Sequence, residues 1–152
     1  QGYTKEMLAD TLKDQFNDIA NRSSNYWQGL AEHTALRIRE FGRLQGYKKA
    51  KARYYKLVVI LDDRTSDICR ALAAQDKVYH LSDAIEVMDN LIALDTKSNS
   101  LDDAREYIKA LAPWIKDDQI EYDSEMNPVG VSGAHTPFPP FHWKCRTTTV
   151  IV

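Results

Sequence analysis

Cysteine is scarce in this chain: Cys69 and Cys145 are the only two in 152 residues. Two thiols cannot build a disulfide scaffold, so the fold must rest on a core, and a reduced, cytosolic setting is the expectation. A single disulfide would form under oxidising conditions if the two cysteine-bearing segments meet. Proline and glycine are sparse as well, at five and six, and four of the prolines fall within residues 123–141. Long stretches elsewhere are therefore free to run as helix. No run of about 18 apolar residues offers a membrane-crossing helix, and no basic-then-apolar leader opens the chain. A Gly-rich phosphate loop, Gly-x-Ser-x-Gly and His-Glu-x-x-His are all missing, which removes the familiar signatures of P-loop, serine-hydrolase and metalloprotease chemistry. The chain opens on Gln1-Gly2 rather than Met, as expected of a piece of a longer protein with a domain or leader upstream.

What is present suits one globular domain with a real core: 43% hydrophobic and 28% charged residues. The net charge of −2 hides an asymmetry. Residues 22–56 carry nine Lys or Arg (Arg22, Arg37, Arg39, Arg43, Lys48, Lys49, Lys51, Arg53, Lys56) against Glu32 and Glu40, a net +7 that leaves −9 for the remainder. Such a segment points to an anionic partner, DNA or an acidic protein surface, contacted by Arg37, Arg39, Arg43, Lys48, Lys49, Lys51 and Arg53. The plainer alternative is that it folds back on the chain's own acidic helices.

Periodicity predicts an amphipathic helix over 4–20. A second, capped by Ser23 or Ser24, would bury Trp27, Leu30, Ala31, Ala35 and Ile38 and bend or break near Gly42 and Gly46. Leu57–Leu61 predicts a short buried strand, Asp62–Thr65 a turn, and Ser66-Asp67 the start of a helix to about Ala74. Lys77–His80 is a second short strand. A helix over 82–94, capped by Ser82 with Ile85, Met88, Leu91 and Ile92 inward, is followed by one from the capping-box-like Ser100 and Asp103 through Ala112. Pro-rich residues 123–141 form an irregular loop and residues 146–152 a closing strand. The fold class is α+β: mainly helical, with a small, mostly antiparallel sheet pairing residues 57–61 with 146–152.

Two separated segments hold the candidate chemistry. Cys69, His142 and Cys145 make a Cys₂His set of the type zinc favours, with Asp62, Asp63, His80 or His135 as fourth-ligand candidates. The alternative is that both cysteines are small buried hydrophobes and His142 a hydrogen-bonded core residue. A Cys69–His142 pair could serve as nucleophile and base, and the adjacent Asp62 and Asp63 could hold a divalent ion. Against the ion stands a structural clasp. In it Arg64 or Arg146 pairs with an Asp while an Asp or Thr side chain among Asp62, Asp63 and Thr65 caps the following helix, and capping alone explains those residue types. His33 and His80 read as incidental, and Trp27, Trp114 and Trp143 as packing or interface anchors.

The order Asp62-Asp63-Arg64-Thr65, Cys69, then Pro139-Pro140-Phe141-His142 with Cys145-Arg146 resembles the Mu F-like minor head proteins of tailed phages, the head morphogenesis family. Thr34–Arg43 resembles the helix that precedes the strand in that family. The resemblance covers about residues 30–80 and 137–152, and 1–152 would be one such domain with a helical insertion at about 81–122. It implies a structural or interaction module of the procapsid, near portal and packaged DNA, in the host cytoplasm or virion. Portal or other capsid proteins, and DNA, would be its partners, and no membrane. It leaves two alternatives: a metal- or Cys-dependent hydrolase or nuclease domain, and a trafficking module of a polymorphic toxin. Many relatives continue as Cys-Arg-Cys, whereas this chain has Cys145-Arg146-Thr147. One thiolate of that pattern is therefore missing. No cofactor is implied beyond zinc as the candidate metal.

Overall fold

A computed structural model describes residue 10, residues 24–94 and residues 100–152. Of the helix expected over 4–20 only Asp10 is described, and it is helical; the rest lies outside the described residues. The chain divides into two compact units, residues 1–32 and 33–152. In the first, the opening turns of helix α1 (Ser24–Lys49) carry a surface hydrogen bond from Gln28 Nε2 to Glu32 Oε1, 3.2 Å. Everything below belongs to the second.

From His33 onward α1 runs unbroken to Lys49, through Gly42 and Gly46. The expected break does not occur, since a lone helical glycine costs only about 1 kcal/mol and packing outweighs that. The buried face also differs from the one expected. Ile38 is 65% exposed, and Leu36, Glu40 and Leu44 are buried instead, at i, i+4 spacing. The carboxylate in the middle of that stripe masked it in the sequence.

Strand β1 (Tyr54–Val58) is flanked by two antiparallel neighbours, β2 (Val78–His80) and β5 (Thr148–Ile151). Leu57 faces Thr149, and Val58 faces Thr148. The sheet thus joins the two segments as expected, but β1 begins three residues earlier than the apolar run suggested. Tyr54, Tyr55 and Lys56 pair with β2, while Ile60 and Leu61 have left the sheet for an exposed turn. Helix α2 (Asp67–Gln75) follows that turn and packs chiefly on β4 (Pro128–Val131). Helix α3 (Leu81–Ile92) starts directly from β2, with His80 rather than Ser82 at its N-cap; Ser82 bonds its neighbour Asp83. Its buried side is Leu81, Ala84 and Met88, and Ile92 faces solvent. Helix α4 (Leu101–Leu111) is capped by Ser100, whose hydroxyl accepts from Asp103 N.

A short 3₁₀ turn (Asp117–Gln119) leads into β3 (Ile120–Tyr122), which forms a hairpin with β4. Residues 123–141 are therefore not all irregular. Asp123 closes the turn through its carboxylate, accepting from the amides of Glu125 and Asn127. Two hydrophobic clusters result. One gathers Leu36, Ile68, Leu72, Ile115 and Phe141 around both cysteines; the other gathers Leu44, Tyr55, Tyr79, Met88 and Phe138.

Candidate metal centre

Cys69 owes its position to a helix cap. The hydroxyl of Ser66 accepts from the amide of Cys69 at 3.3 Å, fixing the thiol in the first turn of α2. The opposite wall comes from residues 136–147. That segment is held by Thr136 N on Pro113 O (2.9 Å), Ile115 N on Phe141 O (3.0 Å), and the Tyr55 hydroxyl on the carbonyl of Pro137. Lys144 takes a left-handed backbone (φ 58°) between His142 and Cys145, which turns the chain so that both side chains face the same point.

Ligand atoms of Cys69, His142 and Cys145 all lie within 4.8 Å of one another. Cys69 Sγ is 3.0 Å from His142 Nε2, and Ser66 Oγ is 2.9 Å from the same nitrogen. Nδ1 of His142 lies 2.7 Å from the carbonyl of Trp143. A carbonyl can only accept, so Nδ1 carries a proton; Nε2 then offers a lone pair to a metal when the imidazole is neutral, and a proton to Cys145 when it is protonated. This is how metal-binding histidines are commonly oriented. Burial lowers the His142 pKa, but the Cys145 sulfur and the Trp143 carbonyl outweigh it and the net shift is upward.

The two thiols are coupled. The bond from Cys69, together with His142 and the backbone at Phe141 and Thr147, pulls Cys145 down against the cost of burial. The same bond to Cys145, with burial, pushes Cys69 up. Cys145 is thus the readier thiolate, and Cys69 donates to it. Tetrahedral zinc with its usual bond lengths separates sulfur and nitrogen ligands by about 3.6 Å, so the Cys69–His142 pair, at 3.0 Å, would open by about 0.6 Å to hold such an ion. The donor set fits a metal.

Beside it sits the clasp. Arg146 grips Asp62 with both terminal nitrogens, Nη1 to Oδ2 at 2.9 Å and Nη2 to Oδ1 at 2.6 Å. Asp62 also accepts from Arg64 N, and Thr65 Oγ1 bridges Asp62 N and the Ile60 carbonyl. The Arg146 guanidinium holds the Asp62 carboxyl well below the usual carboxylate range. Arg70, unremarked in the sequence, braces the turn from α2 through the carbonyls of Thr65 and Asp62. Asp63 is exposed, and the Arg64 side chain reaches Asp62 only loosely, at 3.9 Å.

The basic set divides. Arg39 and Arg43 flank the buried Glu40 at 3.9 and 3.6 Å, Arg43 also reaches the Thr149 carbonyl, and Lys48 pairs with Asp89 at 3.7 Å. Burial lowers the pKa of Arg37. Lys49, Lys51 and Arg53 are exposed. Of the fourth-ligand candidates, Asp62 is engaged by Arg146, His80 lies tilted against the Tyr54 ring, and His135 bonds the Thr136 carbonyl. His33, read as incidental, packs between Trp114 and Trp143. Ser66 and Thr147 belong to the site and went unassigned to it. Their signals were the cap spacing to Cys69 and the departure from Cys-Arg-Cys.

No helix among the described residues is long and apolar enough to cross a membrane. No family model, curated protein or solved structure matches the chain.

Proposed function

We propose that this chain is an assembly module of the Mu F-like minor head type, a structural piece of a phage procapsid that docks near the portal and the packaged DNA, and that a zinc ion on Cys69, His142 and Cys145 pins its two motif segments together. One observation carries the reading. The stretches on which the resemblance rests are far apart in the chain, yet they converge on one site, with Arg146 forked onto Asp62 and Cys69 against His142. Thiolates with imidazole favour zinc among common divalent ions. Bound there, zinc supplies a cross-link; the chain's own residues orient it, through the Ser66 cap and the Trp143 carbonyl.

An enzymatic reading has less behind it. Both thiols are buried, and His142 is oriented by a backbone carbonyl where a catalytic triad has a carboxylate or amide.

The test is co-expression with a tailed-phage portal protein, with elemental analysis of the purified chain. About one zinc per chain and a portal complex that survives gel filtration are expected, with the zinc lost in Cys145→Ser and His142→Ala. Metal-free protein from zinc-replete medium that also ignores the portal would sink the proposal.

A further inference from the structure

We infer that the metal centre keeps its fourth coordination position open, and that this position accepts the donor atom of a small anion such as a carboxylate or azide. The inference rests on the zinc reading above and adds a ligand class to it. Among the described residues the cluster offers three ligands; of the fourth-ligand candidates Asp62 and His135 are hydrogen-bonded elsewhere, and neither His80, tilted against Tyr54, nor the exposed Asp63 lines the cleft beside the cluster. A structural zinc site closes with four protein ligands; three plus an exchangeable one is the open arrangement.

The side left free is not solid protein. A cleft with about 20 Å³ of room for a water's centre adjoins Cys69 and His142, enough for one water or one donor atom. Three hydroxyl-bearing residues, Thr65, Ser66 and Thr147, line it. Thr147 Oγ1 lies 3.2 Å from Cys69 Sγ, at the position where the Cys-Arg-Cys pattern would bring a third thiolate. A hydroxyl there is a poor zinc ligand but can hydrogen-bond an incoming oxygen.

Charge sets the ligand class. Arg64, Lys144 and Arg146 ring the cleft, and no carboxylate lines it. Asp62 neutralises Arg146, while Lys144 and the Arg64 side chain are exposed. Two thiolates and a neutral imidazole cancel the charge of zinc, so an arriving anion carries the complex to −1. The two exposed cations compensate that charge.

Cobalt(II)-loaded protein tests the idea, because its visible ligand-field bands report coordination directly. Azide and acetate should each shift those bands along a saturable isotherm, with cobalt retained through gel filtration. The pair Arg64→Gln with Lys144→Asn should weaken the azide isotherm about fivefold, as expected for removing two exposed charges; Asn suits the left-handed backbone at 144. Thr147→Cys should complete a Cys₃His set and abolish the response while cobalt stays bound. Thr147→Ser, which keeps the hydroxyl and folds as a check on the position, should respond as the parent does. Bands indifferent to both anions in the parent protein would overturn the open position and leave the zinc reading standing. A protein that takes up no cobalt overturns both.

Discussion

Asp62 has both carboxylate oxygens and its carbonyl engaged, by Arg146, by the amide of Arg64 and by Arg70. Its carboxyl is held below the usual range chiefly by the Arg146 guanidinium. A depressed folded pKa contributes stability that is present above the unfolded value, about 4 for Asp, and is lost as pH falls below it. Arg146→Met in chelated, metal-free protein should therefore be less stable than the parent at neutral pH, and the gap should narrow as pH drops below about 4. Urea midpoints across pH measure this, and a gap constant down to acid pH would remove the pair from the account. At the same scale, oxidant separates bare thiols from ligated ones. The two sulfurs lie within 4.8 Å, so diamide should join Cys69 to Cys145 in chelated protein and leave zinc-loaded protein reduced. Equal oxidation of both forms, followed by thiol titration, would argue against metal ligation by the cysteines.

At the scale of elements, β5 depends on α1. Glu40 is 0% exposed and accepts from the hydroxyls of Thr148 and Thr149, while Arg43 and the Tyr47 hydroxyl reach the Thr149 carbonyl. Glu40→Ala strands those hydroxyls and should cost about 2 kcal/mol, the scale for a lost charged hydrogen bond in a buried setting. Amide exchange in β5 should rise more than in β2, and uniform loss of protection would contradict the tether. Glu40 also marks where the sequence stopped being legible. Its charge interrupts the apolar stripe of Leu36 and Leu44, so periodicity chose the face through Ile38 instead. Position 57 was legible because a β-branched run needs a sheet, whereas the register was not. Antiparallel pairing with β2 draws the strand back to Tyr54, and that pairing is non-local. The hairpin at 120–131 escaped because β3 has three residues and β4 begins with proline, below what alternation resolves. Ser66 and Ser100 were legible as helix starts, since a cap is a local bond. The convergence of Cys69 with His142 and Cys145 followed from strand pairing alone; which hydroxyls surround them did not.

For the second unit as a whole, zinc would act as a cross-link between chain segments 73 or more residues apart, Cys69 to His142 being the shorter span. Ligand that binds only the folded state adds about 4 kcal/mol when free metal exceeds its dissociation constant a thousandfold. Chelation should then lower the thermal midpoint by several degrees in the parent and leave His142→Ala unmoved. The charge distribution supplies the other whole-molecule expectation. Of the basic set, Arg39, Arg43 and Lys48, though exposed, already face Glu40, the Thr149 carbonyl or Asp89, which leaves Lys49, Lys51 and Arg53 at the α1–β1 junction as the exposed cations with no carboxylate partner among the described residues. If DNA is the anionic partner, contact there is with phosphates and displaces counterions, so affinity must fall steeply with salt. Three phosphate contacts imply a slope of about −2.7 in log affinity against log salt. The triple change Lys49→Glu, Lys51→Glu, Arg53→Glu should flatten that slope and abolish binding at low salt, whereas Arg39→Glu should act mainly through stability. Fluorescence anisotropy with duplex DNA at several salt concentrations decides it. Binding that survives the triple change, or that ignores salt, would move the partner from DNA to a protein surface.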